Sequence, residues 1–184
     1  MQLIPKNYPT YKMLTLEIFV ECDPKEVPPL RVALYDFYKL LEGTNEQGSP
    51  TLQEFFKYLL IAHLSNLKFV YEKKPGCEQL FAKICVSLLR YCEFIRLDKL
   101  YYEAGTACQK ANLTGMASIF LNRYLDINEL IDDPDNNNLG DNNEFDVTDI
   151  PSPYDVNMPV KNFLSATDKE KIRDWLLQVT YRIT

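Results

Sequence analysis

Residues 133–144 carry oxygen-bearing side chains at the spacing of an EF-hand calcium loop. The segment reads DPDNNNLGDNNE. Loop positions 1, 3, 5, 9 and 12 fall on Asp133, Asp135, Asn137, Asp141 and Glu144. Carboxylate and amide oxygens at these positions are the ligands that Ca²⁺ prefers. One hypothesis is therefore a calcium-responsive regulatory module that uses the 133–144 loop.

Two features favour a different interpretation of this loop. Position 8, which normally carries a branched apolar residue, is Gly140, and the prolines of the following FDVTDIPSPYD exclude the second helix of an EF-hand. A segment made almost entirely of Asp, Asn and Gly also matches such a template by composition. We therefore predict an acidic, Asn-rich connector over residues 132–150 and no metal.

The remaining chemistry-bearing residues do not form a catalytic pattern. The chain has a single histidine, His63, and it lies mid-helix among apolar neighbours in YLLIAHLSNL. Cys77, Cys85 and Cys92 are spaced by eight and seven residues, which suits one buried helix face better than paired zinc ligands. No phosphate-binding loop or nucleophile motif occurs. The sequence thus predicts a protein that is not an enzyme and has no cofactor.

The charge distribution bounds the class of partner. The net charge is -6, and residues 126–149 hold nine acids and no bases. A nucleic-acid-binding protein would instead show a basic stripe. No apolar run approaches the length of about 18 residues needed to span a bilayer. We therefore expect protein partners, with no nucleic acid, no transmembrane segment and no small-molecule substrate. The five cysteines lack short pair spacings, as in reduced cytoplasmic proteins.

Apolar periodicity predicts an all-α fold. Apolar residues recur at helical spacing up to residue 131, which indicates about six helices. Capping-box patterns, TLQE at 51–54 and TDKE at 167–170, mark two helix starts. We predict an α-solenoid of antiparallel helical hairpins with an acidic loop, an extended strap and a terminal helix. The predicted domain bounds are 1–131 for TPR-like hairpins, 132–150 for the connector, 151–166 for the strap and 167–182 for the terminal helix.

One hairpin fits the tetratricopeptide (TPR) pattern. Gly105 and Ala117 are twelve residues apart, as the small residues at the crossing of helices A and B should be. Large or apolar packing positions then fall on Tyr101, Ala104 and Leu121. Other tight hairpins also place small residues at their crossing, so the pattern favours a TPR-like pair without requiring one.

The Pro-punctuated stretch DVTDIPSPYDVNMP (146–159) is extended and mixes acids with apolar residues. It either packs along the preceding helices or serves as a partner-binding peptide in their groove. Candidate partner or strap contacts are Phe145, Ile150, Tyr154 and Trp175.

Several ordered motifs resemble one known family. They are YPTYKML (8–14), SLLRYCEFI (87–95), DKLYYEAG (98–105), FLNRYLD (120–126), DVTDIP (146–151) and DKEKIRDWLLQV (168–179). Together they resemble the C-terminal TPR region of the largest intraflagellar transport complex B subunit, a 172-kilodalton WD40–TPR scaffold.

The resemblance implies a fragment of a non-catalytic scaffold. Its role would be protein binding within an intraflagellar transport train, supporting cilium assembly and the transport and turnaround of cargo. The implied partners are complex B neighbours and complex A. The implied location is the cytoplasm, the basal body and the cilium or flagellum.

Overall fold

The fold is all-α over the part of the chain that the structure describes. The structure is a computed structural model that describes residues 8–43, 48–134, 145, 147–155, 158–159 and 161–183. These residues form seven α-helices and no strand, as the sequence predicts. The helices are α1 (Tyr8–Glu21), α2 (Val27–Glu42), α3 (Pro50–Tyr71), α4 (Glu78–Leu88), α5 (Leu97–Lys110), α6 (Thr114–Asp132) and α7 (Ala166–Ile183). They divide into two compact units, of which the first ends at Lys73.

In the first unit, α2 and α3 pack through aromatic side chains. The rings of Phe37 and Phe55 lie 4.6 Å apart, and Phe19 of α1 adds a ring contact with the buried Tyr58. Glu54 of α3 accepts hydrogen bonds from the Lys12 ammonium at 2.5 Å and the Tyr58 hydroxyl at 2.9 Å. This carboxylate therefore ties α1 to α3 at the edge of an apolar core.

The start of α3 differs from the predicted capping box. Ser49, not Thr51, is the N-cap, and its hydroxyl accepts a hydrogen bond from the Leu52 amide at 3.2 Å. Pro50 occupies the first helical position, where its fixed φ and missing N–H are tolerated. Glu54, the acid of the predicted capping box, makes the contact with Lys12 of α1.

The second unit is built on the α5–α6 hairpin, with α4 packed against α5 and α7 against α6. Gly105 lies where the two helices touch. A Cβ at this position would stand 2.6 Å from the side chain of Leu121. Tyr101, Ala104, Ala117 and Leu121 are all buried around this crossing. The close approach explains the small residue at 105, while the TPR arrangement as a whole stays a prediction.

The helix bounds shift modestly from those expected. α4 ends at Leu88 and continues as a short 3-10 turn over Leu89–Tyr91. α7 begins at Ala166, capped by Ser165, whose hydroxyl accepts from the Asp168 amide at 3.2 Å and donates to its carboxylate at 2.7 Å. The predicted cap at Thr167 was therefore placed two residues too late.

Candidate protein-interaction surface

The strongest candidate site lies on the α5–α6 hairpin, against which residues of the following connection pack. The predicted strap is not extended throughout, because Pro153–Asp155 form a 3-10 turn. We call the described residues 145, 147–155, 158–159 and 161–163 the covering segment; they include the first part of the predicted strap. The residues beneath it form the aromatic face, which is lined by Arg96 just before α5 and by Tyr101, Tyr102, Phe120, Arg123 and Tyr124 on α5 and α6.

Phe145 anchors the near end of the covering segment. Its side chain is buried, and its ring is parallel to that of Phe120 at 6.2 Å. The edge of Tyr101 meets it at 6.1 Å. Offset and edge-to-face ring pairs of this kind add stabilisation beyond the apolar area that they bury.

Arg123 joins Phe145 to Tyr154. Its guanidinium carbon lies 5.8 Å from the Phe145 ring centroid and 5.6 Å from that of Tyr154. The same group donates to the Tyr154 hydroxyl at 2.5 Å and to the Asp126 carboxylate at 3.2 Å. With the side chain only 3% exposed, these partners compensate for the loss of water around the cation.

Arg96 holds the far end in a similar way. Its guanidinium lies 5.6 Å from the Phe163 ring centroid and also donates to the Lys161 carbonyl. Two further hydrogen bonds, at 2.7 and 3.0 Å, join it to the fully buried carboxylate of Asp98. A two-point pair with a carboxylate fixes the plane of the guanidinium, so Arg96 presents one orientation to the segment.

Phe163 completes the contact with the helices. Its ring lies 5.4 Å from Tyr102 and 5.9 Å from Tyr124. Burial raises the pKa of Tyr124 to about 12, with smaller contributions from neighbouring charges. The phenol therefore loses its proton only at strongly alkaline pH.

The predicted contact residues are only partly brought together. Phe145 and Tyr154 meet on Arg123, whereas the Ile150 amide donates locally to the Thr148 hydroxyl at 3.2 Å. Trp175 is half-buried on α7. Sequence reasoning did not identify Arg96, Arg123 or Phe163. One signal was available, since Phe145, Tyr154 and Phe163 recur at intervals of nine residues.

Of the other chemical candidates, His63 and Asp133 are among the described residues. His63 is exposed on α3, and within the described residues no group of three His, Cys, Asp or Glu side chains is placed to hold a metal. Asp133 is the C-cap of α6, and its backbone amide donates to the Glu129 carbonyl at 2.8 Å. The other four proposed calcium ligands lie outside the described residues.

Comparison with known proteins shows which proteins this chain is related to. The chain is 36% identical over 151 residues, 82% of its length, to intraflagellar transport protein 172 homolog of Homo sapiens. It is 30% identical over 162 residues to intraflagellar transport protein 172 of Chlamydomonas reinhardtii, covering 86% of the chain. This chain is homologous to a segment of the intraflagellar transport 172 proteins. The resemblance identified in the motifs is thereby confirmed.

The homology extends to most of the structure described here. Intraflagellar transport protein osm-1 of Caenorhabditis elegans matches at 29% identity over 181 residues, 94% of the chain. The chain spans 8% to 10% of the length of these curated relatives. No protein-family model matches it. Among the described residues, no helix is long and apolar enough to cross a membrane.

Proposed function

We propose that this chain is a non-catalytic, protein-binding scaffold segment of an intraflagellar transport train. The carrying observation is the 36% identity over 82% of the chain to the human 172 homologue, whose name places that protein in intraflagellar transport. A train subunit of this kind works in the cytoplasm, at the basal body and in the cilium or flagellum, where it supports cilium assembly and cargo transport.

The chemistry of the molecule supports a binding role. Two of its buried charged groups have positioning contacts: the Asp98 carboxylate orients Arg96, and Arg123 holds Tyr154 of the covering segment. Burial raises the pKa of the Cys92 and Cys108 thiols to about 11, which makes both poor nucleophiles. Aromatic and arginine side chains are instead the residue types that are enriched in protein-interaction hot spots, and here a stiff hairpin carries them.

The partners of such a segment would be other train subunits, namely complex B neighbours and complex A. This hairpin is held internally by its close crossing at Gly105, so it offers a stiff support for a binding surface. The calcium alternative has no support from the names of the relatives, and most of its ligands lie outside the described residues.

A chimera tests the scaffold role. The matching segment of the Chlamydomonas reinhardtii protein would be replaced by this chain in cells that lack their own copy. We expect flagella to assemble and the chimera to co-purify with transport subunits. A control chimera would carry an unrelated helical segment of equal length. The proposal is wrong if the chimera accumulates normally yet yields no more flagella than that control.

A further inference from the structure

The covering segment contacts the helices mainly through its side chains, and its Lys161 carbonyl accepts a hydrogen bond from Arg96. Three aromatic rings, those of Phe145, Tyr154 and Phe163, carry its contacts with α5 and α6. The backbone bond at its start is local, from the Thr148 amide to the Phe145 carbonyl at 2.9 Å. Side-chain anchors in an extended segment are the mode by which helical repeats recognise peptides.

The aromatic face selects both rings and acids. The guanidinium groups of Arg96 and Arg123 each lie over a ring of the segment, and carboxylates of the face itself orient them. A third arginine, Arg90, pairs with Asp149 of the segment at the exposed edge. A ligand that satisfies all of these contacts is a peptide segment that combines aromatic with acidic residues.

Between α6 and α7, the residues next to the two helices make contacts that do not involve the middle of the connection. The carboxylate of Asp132, at the end of α6, accepts hydrogen bonds from the side-chain amide of Asn162 at 2.6 Å and from the Lys169 ammonium at 3.2 Å. Phe163, next to Asn162, is anchored on Tyr102 and Tyr124. These contacts hold α7 in place without help from Phe145 or Tyr154. The stretch 145–155 can therefore leave the face while α7 stays docked.

We propose that residues 145–155 act as a self-ligand that occupies a peptide-binding site on the aromatic face. The external partner is a segment of another protein that contains aromatic and acidic residues. When this segment binds, it displaces the self-ligand from the site. This inference rests on the proposed scaffold role, for which it supplies the partner chemistry. The covalent link gives the self-ligand a high effective concentration, so a partner must compete with it.

A peptide titration on the full chain tests the site. The probe is the labelled peptide FDVTDIPSPYD, the sequence of residues 145–155. In the double variant Phe145→Ala, Tyr154→Ala the site is vacated, so we expect the peptide to bind at least tenfold more tightly than to the unmodified chain, by fluorescence anisotropy. Adding Arg123→Met should abolish that gain. The matched control is Val147→Ala, at a side chain that is 95% exposed, which should leave peptide affinity unchanged.

A milder variant keeps the test decisive if the double variant does not fold. Asp149→Asn removes only the exposed pair with Arg90 and should raise peptide affinity by about two- to fivefold, in proportion to a surface ion pair. Equal peptide affinity for the unmodified chain and for a folded vacated chain would overturn the proposal. So would a concentration-dependent dimer formed by exchange of residues 145–155, since the site would then belong to a second copy. The chimera tests the scaffold role and the titration tests the peptide-binding site. Flagella that assemble with the chimera, together with unchanged peptide affinity, would contradict only the second proposal.

Discussion

At the scale of single residues, Gly105 shows how closely the two helices of the central hairpin approach. A methyl group there would meet Leu121 Cγ and Cδ2 at 2.6 Å and its backbone nitrogen at 3.2 Å. We expect Gly105→Ala to lower the free energy of unfolding by about 1–3 kcal/mol, because the strain of overpacking exceeds the better helix propensity of alanine. Urea denaturation would measure the difference.

Gly115 provides the matched control for this substitution. It lies in the first turn of α6, and an added Cβ would have no neighbour within 4 Å. Gly115→Ala should therefore be neutral or stabilise the chain by up to ~1 kcal/mol. Equal destabilisation by both substitutions would show that the crossing at residue 105 is looser than described.

Arg123 is the second residue whose removal has a defined consequence. Arg123→Met keeps most of the side-chain volume but removes the donor to Tyr154 and both cation–ring contacts. We expect a loss of about 1–3 kcal/mol in the free energy of unfolding, typical for a buried charge-assisted hydrogen bond. Arg173→Met, which breaks only the exposed pair with Glu170, should cost less than about 0.5 kcal/mol.

At the scale of elements, the caps of α3 and α7 decide where these helices begin. Ser165→Ala removes the acceptor for the Asp168 amide and the donor to its carboxylate. We expect a loss of about 0.5–2 kcal/mol and lower helix content by circular dichroism, whereas Thr167→Ala should be nearly neutral. The pair Ser49→Ala and Thr51→Ala should behave in the same way on α3. Larger losses for the threonines would restore the capping boxes predicted from sequence.

The helices were predictable because their apolar periodicity is local, but each cap was placed two residues late. The T-x-x-E pattern obscured two equally local signals, namely the Ser49–Pro50 start and the S-x-x-D pattern from Ser165 to Asp168. The covering segment was harder to predict. Its position depends on Arg96 and Arg123, whose contacts with residues 154–163 bridge 31 or more positions of sequence. No short-range pattern encodes which helix face a distant aromatic side chain will choose.

At the scale of the whole molecule, buried acids set the response of stability to alkaline pH. Burial raises the pKa of the Cys92 and Cys108 thiols from 9.0 to about 11. Between pH 9 and 11 the unfolded chain therefore releases these protons before the folded chain does. Because the unfolded state then binds fewer protons, the free energy of unfolding falls as pH rises through this window, by on the order of 2 kcal/mol per thiol. Burial also raises the pKa of Tyr124 from 10.0 to about 12, so the free energy of unfolding continues to fall above pH 10.

The measurement is urea denaturation under a reducing agent at half-unit steps from pH 8 to pH 11. The double variant Cys92→Ala, Cys108→Ala removes the two thiols and should flatten the fall between pH 9 and 10.5, whatever its stability at pH 8. Val147→Ala is the control, since this exposed side chain has no titratable proton and its removal should leave the slope intact. If the unmodified chain and the double variant lose stability in parallel over that range, the thiols ionise alike in the folded and unfolded chain. The burial of these two thiols would then be less complete than the structure shows.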